Sequence, residues 1–305
     1  MDDTKTLTLP DGRTLAYGIY TAVDDAHAND IPTVFHFHGL PGSHHEAAVF
    51  NTAIAQHGLR IIGVSRPGSS LSSPQPNRTL LDFPADVLAL ADHLEIDRFA
   101  VLGVSGGGPY ALACWRSIPR TRLVAVALVA SILPTSLGVA DMNIRTRMIL
   151  TVARWVPGLL ARVLDWQLGT LARDEAHPEK LEQQWDADLA AHPGPDREAW
   201  RADAEFRSSL VKGLREAVRR GADSTARDFR LLATDWGFQL GELVAEPRQM
   251  VFWQGSIDTN VSLTTTRAAA SIIPGAELRV VEGHGHLSVL KQDEIVATLK
   301  NMLRR

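Results

Sequence analysis

A chain of 305 residues, 45% hydrophobic and 22% charged, has the composition of a folded globular protein and excludes a disordered one. One cysteine, Cys114, excludes an internal disulfide framework and a cysteine-rich metal site. With 31 basic against 35 acidic residues the net charge is −4, and the basic surplus expected of a nucleic-acid binder is missing.

The first residues, Met1-Asp2-Asp3-Thr4-Lys5, are polar, and no apolar stretch of signal-peptide length follows them. The longest apolar run, Leu123–Leu133, falls well short of the ~18–20 residues of a membrane helix. A cytoplasmic protein without a membrane span is expected. Thr6–Leu9 and Arg13–Tyr17 flank Pro10-Asp11-Gly12 and predict a hairpin. Three short apolar runs, Thr33–Phe37, Leu59–Val64 and Phe99–Val104, predict buried parallel strands. Between them Val87, Leu88, Ala91 and Leu94 recur at helical spacing, with Pro84 suited to the first turn. A further strand, Leu123–Ala130, completes this half.

After Pro134 the pattern changes. Residues 135–242 lack strand-like alternation and show helical spacing at Ile144, Met148, Val152 and Trp155, and at Leu181, Trp185 and Leu189. Pro157-Gly158 and His192-Pro193-Gly194-Pro195 interrupt it. Strand signals return at Gln249–Trp253 and Glu277–Val281, and one amphipathic helix is expected from about Ser288 to Leu303. Strands alternating with helices predict an α/β fold: a mostly parallel central sheet with helices on both faces and an inserted helical cap. The expected division is a core of 1–134 and 243–305 with a cap of 135–242.

Gly103-Val104-Ser105-Gly106-Gly107 lies between an apolar strand and a helix-like segment from Pro109. That is the G-x-S-x-G nucleophile elbow in the context it requires. A phosphate-binding loop would carry Lys-Ser or Lys-Thr after the glycines, where this chain has Gly107-Gly108-Pro109. A serine hydroxyl needs a base. Gly283-His284-Gly285-His286-Leu287-Ser288 follows the last strand, and spacing alone allows either imidazole. His286 is preferred because it opens the final helix. Asp258, after the strand Val251–Trp253, is the candidate to orient the imidazole, and the order Ser…Asp…His favours it over a solvated turn aspartate. His36, His38, His44 and His45 lack the acid of a metal-binding set, so no metal and no cofactor is expected; His44 or His45 is expected at a pocket rim.

These motifs resemble those of the α/β-hydrolase superfamily, of the fold-1 type with a helical cap. The likeness extends to Phe37-His38-Gly39-Leu40-Pro41-Gly42-Ser43, Arg66-Pro67-Gly68 and Trp236-Gly237-Phe238. The resemblance implies an oxyanion hole from the backbone N–H groups of Leu40 and Gly106. Ser105 stands where the dehalogenase and epoxide-hydrolase branches carry aspartate. Many relatives have an acid before Arg66-Pro67-Gly68 and a glycine two residues beyond it; here Ser65 and Ser70 occupy those positions, so the adjacent loop is expected to differ.

The expected activity is hydrolysis of an ester, lactone or thioester of a small, fairly apolar molecule through Ser105, His286 and Asp258. The same pocket could instead serve acyl transfer, cyclisation, C–C cleavage, cofactor-free oxygenation or ligand binding without turnover. His38, Gly39, Trp155 and Trp236 are expected to line the substrate pocket. Arg145, Arg147, Arg154 and Arg162 flank apolar cap residues, a pattern that suits a membrane-docking surface but is more often the inner face of helices lying on a core. A monomer and a homodimer both remain open.

Overall fold

The computed structural model describes residues 4–22 and 31–304. The central sheet has eight strands: β1 (Lys5–Thr8), β2 (Thr14–Thr21), β3 (Thr33–Phe37), β4 (Arg60–Val64), β5 (Phe99–Val104), β6 (Leu123–Val129), β7 (Met250–Gly255) and β8 (Glu277–Val281). Their spatial order is β1-β2-β4-β3-β5-β6-β7-β8. Strands β1 and β2 form the expected antiparallel hairpin, with Leu7 opposite Leu15. β2 also runs antiparallel to β4, and every later pairing is parallel. Every residue of β3, β4 and β5 is buried, as strands covered on both faces require.

Helices Phe83–His93 and Gly108–Ser117 pack against each other, and helices Asn51–His57 and Asp293–Leu303 do likewise. Both Gly108–Ser117 and Asp293–Leu303 lie against β5 and β6. Trp115, Tyr110, Phe35, Phe37 and Phe99 are fully buried, with the Phe35 and Phe99 rings edge to face at 4.9 Å. The strand order reverses at β3, which has β4 on one side and β5 on the other. In an open α/β sheet a crevice forms at such a switch point, beyond the carboxyl ends of the strands. The segments after β3 and β5 therefore border it.

Between β6 and β7 the regular elements are all helical. They include Ile144–Trp155, Pro157–Leu164, Glu179–Leu189, Gly194–Ala202, Ala204–Val218 and Asp223–Ala233. Local chemistry starts several of them. Asn143 and Asp203 accept hydrogen bonds from the Thr146 and Phe206 N–H groups, each at 2.9 Å, and Pro157 and Pro195 sit in first turns. No helix among the described residues is long and apolar enough to cross a membrane.

The single final helix expected from Ser288 is instead two pieces. A short 3-10 turn, Ser288–Lys291, ends at extended Gln292, and the α-helix runs over Asp293–Leu303. Apolar periodicity continues across the break, which hid it from the sequence. The cause is long-range, because Ser288 is tied to Asp196 of the helical insertion through both its N–H and its hydroxyl.

Candidate active site

Ser105 follows β5 at φ 49°, in the left-handed region, and opens a 3-10 turn that leads into helix Gly108–Ser117. The turn closes only with a glycine behind it: a Cβ on Gly107 would lie 2.0 Å from the Phe37 carbonyl oxygen. The hydroxyl consequently projects above the sheet at the switch point.

His286, from the loop after β8, places Nε2 3.1 Å from Ser105 Oγ. Its Nδ1 is 2.8 Å from Asp258 Oδ2. Asp258, just after β7, is fixed in turn. Its Oδ1 accepts the Asn260 and Val261 N–H groups at 2.8 and 3.0 Å, and its Oδ2 accepts Gln254 Nε2 at 3.0 Å. A carboxylate facing Nδ1 favours the tautomer with its proton there, which leaves Nε2 to accept the serine proton. Burial alone would lower the His286 pKa. The charge and hydrogen bond of Asp258 outweigh it, helped by the charges of Asp196 and Glu46, and the net shift is upward.

Of the two imidazoles, His286 reaches Ser105. The His284 ring is engaged elsewhere, with Nδ1 3.0 Å from the Glu282 carbonyl and Nε2 3.1 Å from Gln292 Nε2. Accordingly, His286→Ala is expected to remove most hydrolytic turnover, by about three orders of magnitude or more. His284→Ala is expected to retain most of it, and steady-state rates with a chromogenic ester compare the two.

Leu40 and Gly106 are brought together: a Cβ on Gly106 would sit 2.7 Å from Leu40 Cγ. Above them lies a cavity of about 420 Å³, whose lining includes Gly39, Leu40, Ser105 and His286. Ile149, Leu164, Leu168, Leu214 and Phe229 of the insertion supply apolar wall. Polar groups are fewer and include Asn143, Gln184 and the Arg145–Asp188 ion pair at 2.9 Å.

Three expected pocket residues lie elsewhere. His38 is buried behind the loop, its Nδ1 2.9 Å from the Gly39 carbonyl and its Nε2 accepting the Arg66 N–H at 3.3 Å. Burial, reinforced by the Arg66 charge, holds its pKa well below the ordinary imidazole range. Trp155 ends its helix facing outward, 74% exposed, because Ile149, Leu150 and Ala153 occupy the inner side. Trp236 is buried against Phe238, its ring nitrogen donating to the Leu232 carbonyl at 3.3 Å. The tryptophan on the cavity is Trp185, from the stripe Leu181, Trp185, Leu189. His44 and His45 are buried rather than at a rim, and His44 Nδ1 lies 2.8 Å from Ser65 Oγ. Ser70, where relatives carry glycine, adopts φ 51° and donates its N–H to the Glu216 carbonyl of the insertion at 3.0 Å.

Three carboxylates near the site were not singled out from sequence. Glu46 borders the cavity and accepts the Gly39 N–H at 2.9 and 3.0 Å. Burial pushes its carboxyl up to about 7, against the lowering influence of that hydrogen bond and of Arg66. Asp196, near the N-terminus of helix Gly194–Ala202, accepts the N–H groups of His286, Leu287 and Ser288 at 2.9–3.0 Å and fastens the histidine loop to the insertion. Asp228 accepts Arg66 Nε at 2.8 Å and the Tyr110 hydroxyl at 2.7 Å, and pairs with Arg78. Arg66 then donates to the carbonyls of His38 and Gly39 at 2.6 and 2.7 Å, so Asp228 supports the Leu40 segment through one guanidinium.

Compared with known proteins, residues 32–293 match the model of the alpha/beta hydrolase fold. A hydrolase from Pseudomonas aeruginosa PA01 is 20% identical, with a TM-score of 0.64 over 100% of this chain and 99% of the other. A thermophilic esterase from Thermogutta terrifontis, solved with malate bound, is 20% identical, with a TM-score of 0.59 over 99% and 98%. The enol-lactonase from Burkholderia xenovorans LB400 is 19% identical, with a TM-score of 0.61 over 99% and 100%. No curated protein matches in sequence. At these identities the solved structures speak for the fold, while the matched model spans most of the sequence: the chain belongs to the alpha/beta hydrolase fold family.

Proposed function

We propose that this protein is a serine hydrolase that cleaves an ester, lactone or thioester of a small, fairly apolar molecule by way of an acyl-enzyme. One observation carries the reading. Ser105, His286 and Asp258 form a continuous chain of contacts at 3.1 and 2.8 Å beneath an apolar cavity. Ser105 Oγ attacks the substrate carbonyl while its proton passes to His286 Nε2. The Leu40 and Gly106 N–H groups receive the oxyanion, and Asp258 stabilises the imidazolium. The imidazolium then protonates the leaving group. Water, activated by the same histidine, releases the acid. Residues 135–242 act as a cap over a core of 1–134 and 243–305, and the cavity wall they supply sets substrate fit.

A base that must be neutral gives an acid limb in kcat/KM. Since the His286 pKa is raised above the ordinary 6.5, activity is expected to fall as pH drops through a value above 6.5. Glu46, its own carboxyl pushed up to about 7, is partly ionised where His286 titrates and its ionised form favours the imidazolium, so Glu46→Gln is expected to move that limb modestly to lower pH. A limb that stays in place in a folded Glu46→Gln variant would contradict the coupling.

A panel of short- and medium-chain p-nitrophenyl esters, lactones and acyl thioesters tests the reading, with Ser105→Ala as control. Turnover of at least one class that vanishes in the variant is expected. No turnover of any class by the wild type, or turnover that survives in the variant, would count against it.

A further inference from the structure

The first two helices of the insertion bury one side and leave the other bare. Leu150, Ala153, Leu160, Ala161 and Leu164 face inward. Ile144, Met148, Trp155, Leu159, Val163 and Trp166 face solvent, and Trp155 and Trp166 are 74% and 72% exposed. Spacings of four and seven put Ile144, Met148 and Trp155 on one face of Ile144–Trp155; Leu159 and Val163, four apart, share a face of Pro157–Leu164, and Trp166 follows in the turn Asp165–Gly169. Isolated exposed apolar residues need no explanation, but two largely exposed tryptophans with four exposed aliphatic neighbours on successive elements do.

The charge left unpaired around these two helices is mainly positive. Among the described residues neither Arg147 nor Arg162 makes an ion pair. Arg154 lies 5.5 Å from the Trp155 ring and gives a guanidinium hydrogen to the Ala233 carbonyl. At the far end Trp166 and Arg162 enter a shallow groove that also holds Arg173, Arg219 and Arg220; Arg219 pairs with Glu175 and Glu216 at 2.6 and 3.5 Å, which leaves Arg162 and Arg220 as its unpaired cations among the described residues. Its two carboxylates are Asp165 and Asp223, and Asp165 is already taken by Arg173 at 2.9 Å.

We infer that this face docks on an anionic phospholipid bilayer. Tryptophan rings settle at headgroup depth, aliphatic neighbours enter the acyl boundary, and arginines meet phosphates. A two-fold contact between copies of the chain would bury one arginine-bearing face against another, which disfavours self-association through this surface. Ile144 also borders the cavity, so docking would bring the cavity beside the bilayer. That consequence rests on the proposed function; the docking itself does not.

Co-sedimentation of the full chain with vesicles of phosphatidylcholine alone, or of equimolar phosphatidylcholine and phosphatidylglycerol, tests the inference. Binding is expected to the anionic vesicles only, and to weaken with salt. Arg147→Glu/Arg162→Glu is expected to lower partitioning by at least roughly fivefold per arginine. Trp155→Ala/Trp166→Ala is expected to lower it also, with helical circular dichroism and the thermal midpoint near wild type in both variants. Absence of binding to anionic vesicles at low salt would overturn the inference, as would equal binding by folded variants. So would self-association of the wild type in sedimentation velocity that these variants abolish, because the face would then join copies of the chain.

Discussion

Asp228→Ala is expected to destabilise the fold by about 3–5 kcal/mol, the usual consequence of removing one partner from a buried ion pair. Asp228 is 4% exposed and is shared by Arg66, Arg78 and the Tyr110 hydroxyl. Burial would raise its pKa, but the charges of Arg78 and Arg66 outweigh that effect and hold it low, so the group is an anion at neutral pH. Without it two guanidinium groups stay buried and uncompensated. The loss reaches the chemistry as well, since Arg66 supports the His38 and Gly39 carbonyls immediately before Leu40. Urea unfolding of the variant measures the first effect. A destabilisation under about 1 kcal/mol, in the range of an exposed pair, would contradict the role assigned to Asp228.

Asp258→Asn should leave the fold intact and reduce kcat by about four orders of magnitude, the scale of the corresponding change in serine proteases. The asparagine oxygen can still accept the Asn260 and Val261 N–H groups. Its amide nitrogen then faces His286 Nδ1, a donor where an acceptor stood, and drives the imidazole to the tautomer whose Nε2 carries the proton. That tautomer cannot take a proton from Ser105. Neighbouring carboxylates are otherwise engaged: Asp196 with the backbone of 286–288, Glu46 with Gly39, and Asp141 with the Ser262 hydroxyl at 3.1 Å. Near wild-type kcat in a folded variant would show that Asp258 does not orient the histidine.

The strands and the Ser105 turn were legible because each is a local pattern: an apolar run, glycines at fixed offsets, then a helix. The order of Ser105, Asp258 and His286 along the chain carried the rest of the constellation. The supporting carboxylates were not legible, because their partners are remote. Arg66 and Asp228 are 162 residues apart, and His286 and Asp196 are 90 apart. In isolation Asp196 reads as a first-turn acid after a proline, and nothing local points to the loop it holds.

Periodicity also identifies a stripe without saying what it faces. Helix Ile144–Trp155 carries apolar residues on two sides, and only the fold shows that Ile149 turns toward the cavity while Met148 and Trp155 are exposed. For this reason Trp155, from one helical stripe, faces solvent, while Trp185, from another, lines the cavity.

The central claim is that the Ser105 hydroxyl is the activated nucleophile. Intact-protein mass spectrometry after treatment with a fluorophosphonate tests it directly. The wild type should gain a single phosphonyl adduct that peptide mapping assigns to Ser105, and Ser105→Ala should gain none. Adduct formation that persists unchanged in Ser105→Ala, or a wild type that stays unmodified while it turns over an ester, would contradict the claim.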